Sequence, residues 1–465
     1  MDYDLTSGCF PPLKSLSRRW RYSRSRFSKA EVVPALDNTH HKDSCILERK
    51  VMDALPSYTT LIPDEPILEV DVLKTMEERV DELDPELRDI SLQIHDYPEL
   101  MFKEKFAHDT LTAFMASHGF TVTPHYLGLS TAWRASFKQG EGGPVLGVNS
   151  EMDALPGLGH ACGHNLIAIA GVGVALGIKA ALEAHDIPGE IILLGTPAEE
   201  GGGGKVILLE RGGYDEMDAC VMCHPGPGPE LNFQLPTTLA IKPINVEFFG
   251  HTAHAAAAPW DGINALDAAV LSYTSISALR QQIKPTHRVH GVIEGKDWVA
   301  NVIPDYARMP YLVRAPTGRE VTELTKRVAA CFEAAAKATG CTHKISYSAL
   351  YSELVQNPAL GREYAKVATK RYNLTETPNA GIASASTDFG NISQALPSIH
   401  PGFSIPAASA NHTPEFAEAT RTLEAHTATL WTTKALAATG IRLLSDSTFL
   451  KEVKDSFEYQ RALRV

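Results

Sequence analysis

Ser150-Glu-Met-Asp-Ala-Leu-Pro-Gly-Leu-Gly-His-Ala-Cys-Gly-His-Asn165 sets a thiol, Cys162, and an imidazole, His164, on either side of Gly163. Without a Cβ, Gly163 lets the backbone turn so that both side chains can aim at one point. Thiolate and imidazole are donors suited to borderline-soft divalent metals. The apolar run Val145–Val148 precedes this stretch, and a helical pattern rich in small residues, His164–Leu182, follows it. A short buried strand, a turn carrying polar groups and then a helix is the unit of an open α/β sheet. Such sheets hold their ligands just beyond strand ends.

The unit recurs downstream. Glu190–Gly195 reads as a strand and leads into Glu199-Glu200 and the glycine run Gly201–Gly204. Two adjacent carboxylates repel each other unless a cation lies near. A phosphate-cradling loop is the rival reading, but no Gly-Lys-Ser/Thr follows the glycines. Ala219–Met222 is a third strand, closed by His224. Cys220-Val-Met-Cys-His224 matches the spacing of covalent haem attachment. That reading fails on context, because both cysteines lie in an apolar strand of a chain with no export signal. His412, in Ser-Ala-Asn-His-Thr-Pro, is polar and isolated. His160 and His251 compete with it as ligands, and spacing alone leaves them open. Buried Cys and His are common as plain core residues, so the reading rests on the set. The set predicts a metal-dependent hydrolase.

With 465 residues the chain has length for two or three domains and a large core. Lys+Arg 43 against Asp+Glu 55 gives a net charge of −12, which argues against a nucleic-acid partner. Seven scattered cysteines suit a reduced, cytoplasmic protein. No apolar run reads as a membrane span and no secretory core begins the chain, so no membrane partner is expected. The basic, Ser-rich segment 17–29 reads as a solvated tail, with a transit peptide as the alternative. Residues 1–70 are expected to be a disordered tail. From Glu69 one amphipathic helix should run toward Ile94, with Leu73, Met76, Val80 and Leu83 on its apolar face, and a second should cover 105–118. After Pro236 the order becomes strand-helix-strand-strand-helix-strand, that of a ferredoxin-like domain. Residues of metal-binding type resume at Asn411-His412, so this domain is an insertion. The expected division is a discontinuous catalytic domain, 71–236 and 351–445, an inserted domain, 237–350, and a C-terminal tail, 446–465.

The ordered motifs carry a family resemblance. They are Ile-His-Asp-Tyr-Pro-Glu-Leu at 94–100, Glu-Met-Asp-Ala-Leu-Pro at 151–156 and Gly-His-Ala-Cys-Gly-His-Asn at 159–165. Pro-Ala-Glu-Glu-Gly-Gly-Gly-Gly at 197–204, Gly-His-Thr-Ala-His-Ala-Ala at 250–256, Ser-Thr-Asp-Phe-Gly-Asn at 386–391 and Asn-His-Thr at 411–413 complete them. From about residue 75 to about 440 the chain resembles the aminoacylase and glutamate-carboxypeptidase family of co-catalytic metallopeptidases, in its amidohydrolase branch. The resemblance implies an α/β, zinc-exopeptidase-like catalytic domain with a mixed, mostly parallel sheet. It also implies that the inserted ferredoxin-like α+β domain is a dimerisation domain, or lid. It implies two divalent metal sites per subunit, zinc or manganese, with Cys162, His164, Glu200, His224 and His412 as ligands and Cys162 bridging. Glu199 would be the general acid/base. His254 would stabilise the oxyanion from the partner subunit of a homodimer, and Asn301 and Arg314 would bind the substrate carboxylate. The carboxypeptidase branch has a His-x-Asp ligand motif where this chain has Asn149-Ser150-Glu151, and His164 compensates. The expected substrate is a small amide: a dipeptide, or an N-acyl or N-aroyl amino acid. A biosynthetic enzyme forming or trimming an amide and a non-catalytic regulatory member of the fold are the alternatives.

Overall fold

A computed structural model describes residue 58 and residues 68–377, 382–383 and 385–464. The tail expected over 1–70 falls almost wholly outside the described residues. Two helices, α1 (Val70–Glu82) and α2 (Asp84–Asp96), stand where one was expected. Proline in the first turn of α2 cannot donate to a preceding turn, so the helix restarts at Leu83. The expected apolar face runs across the break: Leu73, Met76, Val80 and Leu83 are all buried. Helix α3 (Lys105–Ser117) follows.

The first sheet contains β1 (Thr121–Pro124), β2 (Trp133–Gln139), β3 (Val145–Glu151), β4 (Gly189–Thr196), β5 (Ala219–Val221) and the short strand Ser398–Ile399. Their order is β1-β2-β4-β3-β5 and then Ser398–Ile399. β3, β4, β5 and Ser398–Ile399 run parallel, and β1 and β2 form an antiparallel edge. Strand β3 is buried from Leu146 to Glu151, as expected of a parallel strand covered on both faces.

Helix α4 (His164–Ala184) packs on that sheet, and α5 (Gly204–Glu210) follows β4. Contrary to expectation, α4 is long and apolar enough to cross a membrane by length and composition, but 89% of its apolar window is buried inside the protein. Its small residues allow this. A Cβ on Gly171 would come within 2.9 Å of the Asn149 carbonyl of β3, and one on Gly177 within 2.9 Å of Val80 of α1.

The second sheet is built from β6 (Ala240–Phe249), α6 (Ala265–Leu279), β7 (Arg288–Gly291), β8 (Tyr306–Ala315), α7 (Gly318–Thr339) and β9 (Thr342–Tyr347). The strand order β7-β8-β6-β9, all antiparallel, is ferredoxin-like. Burial alternates along β8, so one face packs on the helices. Val246, Phe248, Met309 and Phe332 lie in a core separate from that of the first sheet. The chain then returns to the first sheet. Residues 446–465, expected as a tail, instead form the helix Ser447–Ala462. Asp446 caps its N-terminus, and Phe449, Val453 and Phe457 are buried.

Candidate metal centre

Parallel strands deliver the site. Glu151 ends β3, and Asp153 follows it. Cys162 and His164 stand at the start of α4, which Gly163 opens with φ 82°. Glu199 and Glu200 follow β4, His224 lies just past β5, and His412 sits in the loop beyond the strand Gly402–Ile405 with φ 69°. The backbone N–H of His412 donates to the Ala161 carbonyl at 2.8 Å, which ties that distant loop to the cysteine turn.

The five expected ligands converge as two sets of three. Cys162, His164 and His224 form one, and Cys162, Glu200 and His412 the other. Within each set the donor atoms lie within 4.8 Å of one another, and Cys162 is common to both. Cys162 Sγ is 3.3 Å from His224 Nε2, and Glu200 Oε1 is 3.5 Å from His412 Nε2. The remote ring nitrogens are held. His164 Nδ1 meets Asp153 Oδ1 at 3.1 Å, and His224 Nδ1 meets the Pro225 carbonyl at 2.8 Å. Carbonyl and carboxylate oxygens only accept, so both Nδ1 atoms carry a proton and both Nε2 atoms are left for the centre.

These residues fit a divalent cation. His164 Nε2 and Glu200 Oε1 are buried 3.9 Å apart, and neither has a hydrogen-bond partner among the described residues. Buried polar atoms without a partner are costly unless a bound ion takes that place. Burial also pushes the Cys162 thiol up, so its thiolate needs positive charge beside it. Burial and the carboxylates of Glu151, Glu200 and Asp388 hold the Glu199 carboxyl well above the usual range. Burial pushes Glu200 the same way, but His412 and His164 outweigh it and hold Glu200 low. Two neighbouring carboxyls are thus driven apart, a pattern that separates an acid/base group from a ligand.

The other expected residues stand apart. His254 lies past β6 in the second sheet's unit and is exposed. Its Nδ1 accepts from the N–H groups of Ala256 and Ala257 at 3.2 and 3.1 Å. Asn301 is exposed, and its carbonyl accepts from Ala255 N–H at 3.1 Å. Arg314 on β8 donates to Ser386 Oγ at 2.9 Å and has no acidic partner among the described residues. None of the three is bonded to the cluster. His160 is buried with both ring nitrogens unpartnered and His251 is exposed; neither joins the cluster.

Four residues at the site had no assigned part in the sequence reading. Asp153 holds His164 and also accepts the Glu200 N–H at 3.0 Å. Lys205 is fully buried, with Nζ 2.6 Å from Glu151 and 2.7 Å from Asp388. Glu151 Oε2 lies 3.3 Å from His164 Nε2. Glu151, Asp153 and Asp388 fall inside motifs already singled out. For Lys205 the one signal was a charge opening the apolar run Val206–Leu209.

A mixed α/β sheet with metal-type donors gathered at its strand ends, Cys162 common to two sets of three, beside a ferredoxin-like unit, defines a class, that of metal-dependent hydrolases. Residues 147–432 match Peptidase family M20/M25/M40, and the chain belongs to that family. It is a metal-dependent amidohydrolase of the dipeptidase kind. The chain is 43% identical over 395 residues to the Xaa-Arg dipeptidase of Mus musculus, covering 82% of this chain and 91% of that one. It is 30% identical over 445 residues to one of the polypeptides of the p-aminobenzoyl-glutamate hydrolase of Escherichia coli, covering 80% and 91%. Among solved structures, the aminobenzoyl-glutamate utilization protein of Klebsiella pneumoniae aligns with a TM-score of 0.63 at 18% identity, over 80% of this chain and 99% of that one. A dinuclear metal-binding peptidase of the M20 family from Bacillus subtilis aligns at 0.58 with 19% identity, over 78% and 99%.

Proposed function

We propose that the chain hydrolyses dipeptides whose C-terminal residue is basic, at a centre of two divalent ions, zinc or manganese. The observation that carries the reading is the pair of three-donor sets sharing Cys162, with Glu199 Oε2 4.0 Å from His164 Nε2. The substrate class rests on the 43% identity to an Xaa-Arg dipeptidase over most of both chains. Cys162, His164 and His224 would hold one ion, and Cys162, Glu200 and His412 the other. Bound there, the ions would acidify a water and polarise the scissile carbonyl.

Glu199 takes the proton of the attacking water and returns it to the leaving amine, a double role suited to a carboxyl held above its usual range. Arg314 and Asn301 bind the substrate carboxylate. A half-buried guanidinium with no acidic partner among the described residues, engaged only by Ser386, suits that part. His254 donates to the oxyanion across a homodimer. Because its Nδ1 accepts two N–H groups, Nε2 carries the proton and is a ready donor.

The second sheet's unit, 237–350, is the dimerisation domain in this reading, set between catalytic segments 71–236 and 351–445. The exposed apolar side chains Val270, Leu271 and Tyr273 on α6 supply a face for a second copy. Five free cysteines among the described residues suit the cytoplasm. The test is a substrate panel on metal-replete protein, with products identified by mass spectrometry. It contains dipeptides ending in arginine, lysine or a neutral residue, p-aminobenzoyl-glutamate and N-acyl amino acids. Preferential cleavage of the basic dipeptides supports the proposal, and cleavage of acyl or aroyl amino acids in their place overturns the substrate assignment.

A further inference from the structure

Tyr351 lies where the chain crosses between the two sheets. The outgoing segment at the start of β6 and the returning segment after β9 pair there. Ile241 N–H donates to the Tyr351 carbonyl at 2.9 Å, and Tyr351 N–H to the Ile241 carbonyl at 3.0 Å. The ring joins Val206 of α5 and Ile241 in a small apolar cluster and lies over Gly203, where a Cβ would come 3.2 Å from it. Its buried hydroxyl donates to the backbone carbonyl of Glu199 at 2.9 Å.

That bond is one of three from side chains to the backbone of the same turn. Glu104 Oε1 accepts the Ala198 N–H at 2.9 Å, and Asp153 Oδ2 accepts the Glu200 N–H at 3.0 Å. Ala198 has φ 60°, a left-handed conformation that a non-glycine residue keeps only when its surroundings impose it. Glu199 thus takes its position from outside the turn. Glu104 also ties Phe102 and Thr131, and Asp153 also ties His164. Of the three, Tyr351 alone comes from the joint between the sheets.

We infer that Tyr351 is a positioning residue for the reaction, its hydroxyl fixing the Glu199 main chain, and through it the carboxylate, against the joint that carries the second sheet. The inference rests on the reading of Glu199 as the general base. A base must lie within hydrogen-bond reach of the proton it takes, and a misplacement of about 1 Å can cost a factor on the order of 10².

The experiment is Tyr351→Phe, which removes one oxygen and keeps the ring, the Ile241 pair and the apolar cluster. On metal-replete full-length protein, kcat should fall about 10- to 100-fold, with KM, metal content and the urea unfolding midpoint close to wild type. Hydrogen exchange, which needs no activity, should show the amides of 198–204 exchanging faster in the variant than in wild type. Unchanged kcat in an active enzyme overturns the inference, whether or not exchange changes. Loss of metal or of cooperative folding along with kcat makes Tyr351 a packing residue and overturns it too. A wild type inactive on every amide tested, with faster exchange in Tyr351→Phe, keeps the fixing of the turn and sinks the catalytic reading of Glu199 instead.

Discussion

Asp153 grips His164 with one carboxylate oxygen, 3.1 Å from Nδ1, and uses the other to accept the backbone N–H of Glu200 at 3.0 Å. One buried side chain therefore sets a donor from each of the two metal-type sets. Asp153→Asn keeps the size but loses the charge. Its amide must also either turn a donor toward the Glu200 N–H or withdraw its acceptor from His164. Partners of this kind typically cost about 10- to 100-fold in metal affinity when changed. Competition with a chelator of known affinity should show a loss of that size. Unchanged affinity would mean that Asp153 does not orient the centre.

Glu199→Gln should abolish turnover while leaving bound metal near the wild-type amount, because the two sets that share Cys162 take their carboxylate from Glu200 and not from Glu199. Loss of a general base costs about 10²–10⁴-fold, and this group serves twice. Metal analysis beside steady-state kinetics checks it. A metal-replete variant with wild-type turnover would remove Glu199 from the mechanism.

Cys162→Ser touches both sets at once. A hydroxyl is a poor substitute for thiolate toward zinc and shifts preference to harder cations. Zinc should bind more weakly and in lower stoichiometry by calorimetry, with manganese affected less. Equal zinc affinity in the variant would make Cys162 an ordinary buried cysteine.

Lys205 is the counter-charge of the buried carboxylates behind the centre. Its ammonium touches Glu151 and Asp388, and no part of it reaches solvent. Lys205→Met should destabilise the metal-free protein by about 3–5 kcal/mol, the usual cost of leaving buried charges unpaired. Burial alone would raise Glu151, but Lys205 and then His164 outweigh it and hold the carboxyl at about 2. A carboxyl depressed in the folded state stabilises above its unfolded pKa of roughly 4.3, and that contribution fades as pH falls toward about 2. The gap between wild type and variant in urea unfolding should therefore narrow from pH 5 to pH 3. A constant gap would separate Glu151 from Lys205 energetically.

The strand ends were legible because β3, β4 and β5 are short apolar runs, each followed at once by a group of ligand type. The βαββαβ order was legible from the succession of strand-like and helix-like runs after Pro236. The break at Leu83 was not. Leu83 and Leu87 continue the buried stripe of α1, so the apolar period runs through a proline that periodicity does not see. The helix Ser447–Ala462 hid for the opposite reason. It is largely polar and gains its place from Phe449, Val453 and Phe457, whose burial is tertiary. Lys205 was invisible because its partner Asp388 lies 183 residues away. A lysine at the head of an apolar helix ordinarily reads as one that reaches back to water.

His254 poses the remaining question of assembly. Its Nδ1 is committed to the Ala256 and Ala257 N–H groups, so the proton sits on Nε2, and the side chain is exposed with no bond to the cluster. A donor so placed serves a site only by closure of its own sheet's unit onto it or by reaching the site of a second chain. His254→Ala should lower kcat by about 10²–10³, the usual loss for one oxyanion donor, with bound metal unchanged. Equal activity of variant and wild type would remove His254 from the mechanism. The decisive measurement mixes inactive His254→Ala with inactive Glu199→Gln under conditions that exchange subunits. If His254 acts in trans, one site of each hybrid dimer carries an intact Glu199 from one chain and an intact His254 from the other, and activity returns. If it acts in cis, each chain brings its own defect to its own site and mixing restores nothing. Sedimentation at the assay concentration completes the test, because a fully active monomer rules out the trans arrangement outright.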